Sequence, residues 1–160
     1  MRTFCQTLIG CGIILITIQF IRTPKNIAAG PDPRDLLVQH PAPPAVQAIL
    51  QNACYDCHSN TTRYPWYAEI QPLSLWLASH VIDGKKHLNF STFFDYSPKR
   101  ADAKLEAMAD EVREGEMPLP SYRLVHSAAR LTPDQVEALT TWITSVRSRI
   151  LATAAEHDTP

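Results

Sequence analysis

Glycine is scarce, with five residues in 160, against thirteen prolines. That balance points to short, bounded segments and excludes a collagen-like or low-complexity chain. A charge excess of one sign is also missing. Fifteen basic and sixteen acidic side chains leave a net charge of -1, which excludes a strongly basic nucleic-acid binder, because neutralising phosphates takes a clustered Lys/Arg excess. Cysteine is limited to four residues, too few for a disulfide scaffold. No segment sustains period-two alternation, so a sheet-based domain is excluded and an all-α fold is predicted. The four cysteines form two pairs of different character, Cys5 and Cys11 near the N-terminus and Cys54 and Cys57 further in.

What is present begins with an apolar run. Phe4 to Ile21 holds eighteen residues without a charge. As a helix at 1.5 Å per residue it would be about 27 Å long, just enough for a bilayer core. A buried soluble helix would show a polar face, and this run has none. Residues 1–25 are therefore expected to form a single N-terminal transmembrane helix. The rival is a cleavable signal peptide cut after Ala29, but Arg22 and Lys25 between the run and that site disfavour processing. Leu8-Ile9-Gly10-Cys11 spells a lipoprotein box, yet the apolar run follows the cysteine instead of preceding it, so that reading is rejected. Cys5 and Cys11 are then small apolar members of the helix. Arg2 on one flank and Arg22 and Lys25 on the other leave the orientation open.

Residues 26–44 read as a proline-rich, semi-extended tether, with Pro24 just before it and Pro31, Pro33, Pro41, Pro43 and Pro44 within it. Residues 45–151 read as a helical domain and 152–160 as a flexible tail; His40 and His157, in tether and tail, are expected to be solvated. Helices are predicted over 45–53, 72–82 and 98–114, the last stopped by Gly115. A final helix opens at Thr132-Pro133-Asp134-Gln135, which combines an N-cap, a first-turn proline and a capping-box glutamine, and runs to about Leu151. The intervening loops, 60–71 and 84–97, are long for so small a domain. A large buried cofactor would supply the missing core. From Asn26 onward there are 12 basic and 16 acidic residues, a balance suited to a soluble surface.

Cys54-Tyr55-Asp56-Cys57-His58 is a C-x-x-C-H sequence, the attachment signature of c-type haem. Two thiols one helical turn apart can add to the two vinyl groups of one porphyrin, and the next residue supplies an imidazole to the iron. A structural zinc site would need distant histidines to complete four ligands. A thioredoxin-like pair belongs at a strand-to-helix junction, and no strand pattern exists. The sixth iron ligand is expected to be Met117, in a proline-bounded loop 59 residues beyond His58; its soft thioether suits haem iron. His87, His80 and His126 are the rival ligands, and an open position is a further alternative. Met108 is read as core, and His80, on an apolar helix face, as a satisfied core histidine unless it ligates.

The stretch CYDCHSNTTRYPWYAEIQPLSLWLASHVIDGKKHLNFSTF, followed by MPLPSYRLVHSAARLTPDQVEALTTWI, resembles the bacterial membrane-anchored haem-binding domain family. The resemblance spans about Asp35 to Ile150. The Met-Pro loop and final helix are also similar to class I cytochrome c. The resemblance implies one covalently bound haem c and an iron held by His58. It also implies a bacterial inner-membrane protein, single-pass, with residues 26–160 in the periplasm, where covalent attachment is performed. The leading expectation is a membrane-tethered mono-haem c-type cytochrome that carries single electrons to an unidentified redox protein partner. Trp66, Trp76, Leu77 and Phe90 are then candidates to pack the porphyrin, and the acidic run Glu106, Asp110, Glu111, Glu114 and Glu116 is a solvated face or a steering patch. The alternatives are a haem-dependent peroxidase-like enzyme, with His80 or His87 as a distal acid-base group, and a haem-based sensor with an exchangeable sixth ligand.

Overall fold

The computed structural model describes residues 2–30 and 32–157. Met1, Pro31 of the expected tether, the His157 side chain and the last three residues of the expected tail lie outside the described residues. Helices follow one another as α1 (Arg2–Ile18), α2 (Leu36–Gln39), α3 (Pro44–Ala53), α4 (Tyr55–His58), α5 (Leu73–His87), α6 (Pro98–Glu114), α7 (Pro120–Val125) and α8 (Pro133–His157). Short 3₁₀ segments lie at Trp66–Glu69, Phe90–Asp95 and Ser127–Ala129. Among the described residues there is no strand, only an isolated antiparallel bridge between Ile27 and Thr61.

The expected transmembrane helix is not there. Among the described residues no helix is long and apolar enough to cross a membrane. α1 has 17 residues, a length of about 25 Å against a hydrocarbon core of about 30 Å. Its first residue is Arg2, and its C-terminal end is committed elsewhere. The Gln19 amide donates to the Gln71 carbonyl at 3.1 Å, the Gln71 backbone N–H donates to Gln19 Oε1 at 3.0 Å, and the Gln71 side chain donates to the Ile21 carbonyl at 2.8 Å. The last three residues of the eighteen-residue apolar run are thus drawn into a turn.

α6 and α8 form the central helix pair. Leu105, Ala109 and Val112 of α6 face Leu139, Ile143 and Val146 of α8, all of them buried, and Ile49 and Leu50 of α3 complete the core. The ends of both helices are encoded locally. Thr132 and Gln135 exchange reciprocal hydrogen bonds at 2.9 and 3.3 Å, the capping box that opens α8. Gly115 closes α6 in the left-handed region, φ 75°, which only glycine adopts freely.

Three boundaries differ from the sequence reading. α5 extends to His87, carrying helix into the expected 84–97 loop, with Lys85, Lys86 and His87 complementing its C-terminal dipole. α8 continues six residues past Leu151. The proline-rich segment is docked onto the domain instead of free. Ala28 N–H donates to Asn60 O, Thr62 N–H to Asn26 O, and Leu36 is fully buried in the core. His40 is likewise packed against Phe94, ring centroids 5.4 Å apart, with its Nε2 buried.

Candidate functional site

The C-x-x-C-H segment folds as a single helical turn. α3 ends at Ala53, Cys54 caps it by donating its N–H to Leu50 O at 3.0 Å, and the His58 N–H then donates to Cys54 O at 3.0 Å. Cys54, Cys57 and His58 all face one cavity of about 710 Å³, within the range of cofactor sites. Neither cysteine is in a disulfide. Burial, and the neighbouring Cys57 sulfur, push the Cys54 thiol up to about 12; burial, and Asp56, push Cys57 up to about 11.

Asp56, between the cysteines, is buried and locks the turn from behind. Its Oδ1 accepts from Arg63 N–H at 3.1 Å and Arg63 Nε at 3.0 Å, and its Oδ2 accepts from the Tyr122 hydroxyl at 2.7 Å. Thr62 Oγ1 donates to the Asp56 carbonyl at 2.7 Å. Burial and Asp56 raise the pKa of the Tyr122 phenol, so it remains a donor.

His58 Nδ1 lies 3.0 Å from the Leu88 carbonyl. A carbonyl only accepts, so Nδ1 carries the proton and Nε2 presents a lone pair. Burial lowers the His58 pKa and favours the neutral ring. The Leu88 carbonyl is in turn held by its flanking residues. Phe90 stacks on Tyr55 with centroids 4.9 Å apart and lies 6.0 Å from the His58 ring. The Asn89 side chain donates to Asn60 Oδ1 at 3.0 Å, and Ser91 Oγ accepts from Asn60 N–H at 3.0 Å. Leu88-Asn89-Phe90-Ser91 is therefore a brace for the C-x-x-C-H turn.

The opposite walls come from α6, through Arg100, Lys104 and Met108, and from Met117, Pro118 and Leu119. The Gly115 turn places Met117, whose N–H, like that of Glu116, donates to Glu111 O at 3.1 and 3.0 Å. His80 and His87 also line the cavity. His80 is thus half-buried at a cavity wall, its Nδ1 donating to Trp76 O at 2.8 Å. His126 is not among the lining residues. Its ring stacks on Tyr122 at 3.9 Å, Nδ1 donates to Tyr122 O at 3.1 Å and Nε2 accepts from Tyr67 Oη at 3.3 Å, so both nitrogens are engaged.

Of the proposed porphyrin-packing residues, Trp66 is 78 % exposed and Trp76 44 % exposed. Leu77 and Phe90 are buried, yet none of the four lines the cavity. The sequence reading missed Asp56, Tyr122 and Gly84, whose roles depend on contacts 7 to 66 residues apart. Among the described residues, no three His, Cys, Asp or Glu side chains gather as a site for a single metal ion.

Two thiols, an imidazole and a thioether bordering one deep cavity in a helical domain define a class of protein that encloses a large iron-bearing cofactor. The chain matches the haem-binding domain family over residues 13–145 and belongs to it. It is a haem-binding protein. No curated protein and no solved structure matches the chain.

Proposed function

We propose that the protein holds one haem c covalently through Cys54 and Cys57, binds its iron with His58 and Met117, and transfers single electrons on the periplasmic side of a bacterial cell. The observation that carries this reading is the convergence of these four side chains on one cavity, with His58 Nδ1 fixed by Leu88 O at 3.0 Å. Each thiol would add S–H across one vinyl double bond. A carbon–sulfur bond would form, the proton would end on the other vinyl carbon, and no electron would be lost or gained. When bound, the haem supplies one-electron chemistry through its ferrous and ferric states.

The chain's own residues do the rest. Leu88 O orients His58 and leaves Nε2 as the free donor, Asp56 and Arg63 hold the turn that spaces the two sulfurs, and the Gly115 turn presents Met117. Donor and acceptor would be other one-electron redox proteins. A second reading, a peroxidase-like or sensor protein with an exchangeable sixth ligand, is favoured by one observation: His80 and His87 share the cavity with Met117. Absorption spectra of the loaded protein separate the two. The electron-carrier reading expects a low-spin, six-coordinate iron whose methionine charge-transfer band disappears in Met117→Ala. A high-spin wild type, or loss of six-coordination in His87→Ala alone, would favour the second reading.

A further inference from the structure

We infer that Arg100 and Lys104 form a carboxylate subsite at one end of the cavity, where the two propionate groups of the haem are bound. The inference rests on the haem reading above and goes beyond it by assigning the anionic edge of the ligand.

Both cations line the cavity. Their spacing of four residues puts them on one face of α6. Both also lie over the same ring, Arg100 at 5.1 Å and Lys104 at 4.9 Å from the Tyr96 centroid. That ring is fixed in turn, because Tyr96 Oη accepts from the Asn89 N–H at 3.1 Å, within the brace that orients His58. The Lys104 ammonium also donates to the His87 carbonyl, which holds it at the cavity edge.

What these two cations lack is an anion. Among the described residues neither forms an ion pair. The acids along the cavity are engaged or remote: Asp56 takes Arg63 at 3.0 Å, and Asp83 takes Lys86 at 2.9 Å. Glu111 lies seven and eleven residues further along α6, an axial offset of about 10 to 16 Å. The pKa of Lys104 is lowered by burial and by the like charge of Arg100. Two like charges held on one platform beside a cavity, with no ion-pairing acid among the described residues, are the donor set for a dianionic ligand edge. Further along the cavity wall Val112, Met117 and Leu119 are apolar and Glu111 is anionic, so none of these side chains offers a carboxylate a partner.

The test compares haem with haem dimethyl ester, which keeps the ring and iron but has no carboxylate charge. Each is titrated into the reduced, haem-free full chain by tryptophan quenching, alongside the Arg100→Gln/Lys104→Gln variant. Both positions are at least partly exposed on α6, and far-UV circular dichroism checks that the variant is folded. Wild type is expected to prefer haem over the ester by at least about tenfold, the size of one charge-assisted contact. The variant should lose that preference while binding the ester as wild type does. In the covalently loaded protein, the variant should also show a lower midpoint potential, since the lost cations favoured the ferrous state. A preference for haem retained in the variant, or no preference in wild type, overturns the subsite and leaves the haem reading standing. If wild type binds neither porphyrin, the haem reading fails and the subsite with it.

Discussion

Gly84 of α5 sits so close to the C-x-x-C-H turn that a Cβ on it would stand 2.7 Å from the Cys57 carbonyl oxygen. This close approach explains a glycine inside a helix, where it otherwise costs about 1 kcal/mol relative to alanine. It also fixes the sign of a substitution. Gly84→Ala should destabilise the domain by about 1–3 kcal/mol through overpacking against backbone and reduce haem incorporation. Urea denaturation and haem content check this; a stabilised variant with normal haem content would show that the turn is free to move.

Asp56 is expected to be the costliest polar residue to lose. Asp56→Ala leaves Arg63 and the Tyr122 hydroxyl without their acceptor and should cost about 2–3 kcal/mol, whereas Tyr122→Phe should cost about 1 kcal/mol. A double-mutant cycle between the two should show coupling of at least about 0.5 kcal/mol. Additive effects would mean that the 2.7 Å contact contributes nothing to holding the turn.

Asp35 ties the proline-rich segment to the same turn. Its carboxylate accepts from Leu37 N–H at 2.8 Å and from the Tyr55 hydroxyl at 2.8 Å, and burial holds its pKa above the usual carboxylate range. A carboxyl whose folded pKa exceeds its unfolded value, about 3.9, contributes stability that is full below that value and is lost as pH rises through the folded pKa. Acidification from pH 7 to pH 4.5 should therefore shift the urea midpoint of wild type upward relative to Asp35→Asn. An equal response of the two proteins would remove Asp35 from the account.

Much of this molecule was legible in residue order. Helix α6 and its Gly115 stop, the Thr132–Gln135 capping box and the C-x-x-C-H turn are local signals, each complete within a few residues. What escaped depends on distant partners. Gly84 reads as the start of a loop until Cys57 is packed against it, and nothing in residue order sets Asp56 apart from the other acids until Arg63 and Tyr122 close over it. The apolar N-terminal run read as a membrane span because hydropathy counts residues without showing where the helix stops. The pairing of Gln19 with Gln71 follows the last helical turn of α1. The aromatic residues were misplaced for a similar reason: Trp66 and Phe90 look alike as core candidates, and only the fold puts one on the surface and the other under His58.

Covalent attachment of the haem through Cys54 and Cys57 is the proposal on which the electron-carrier reading depends. Its most direct test is acid-acetone extraction of the purified full chain, made in a bacterium that matures c-type haem proteins, followed by the intact mass of the denatured polypeptide. The colour is expected to stay with the protein, and the mass to exceed that of the bare chain by one haem. In Cys57→Ser the two-thioether product should be lost. Complete extraction of the haem from the wild-type chain, with the mass of the bare polypeptide left behind, would contradict the claim.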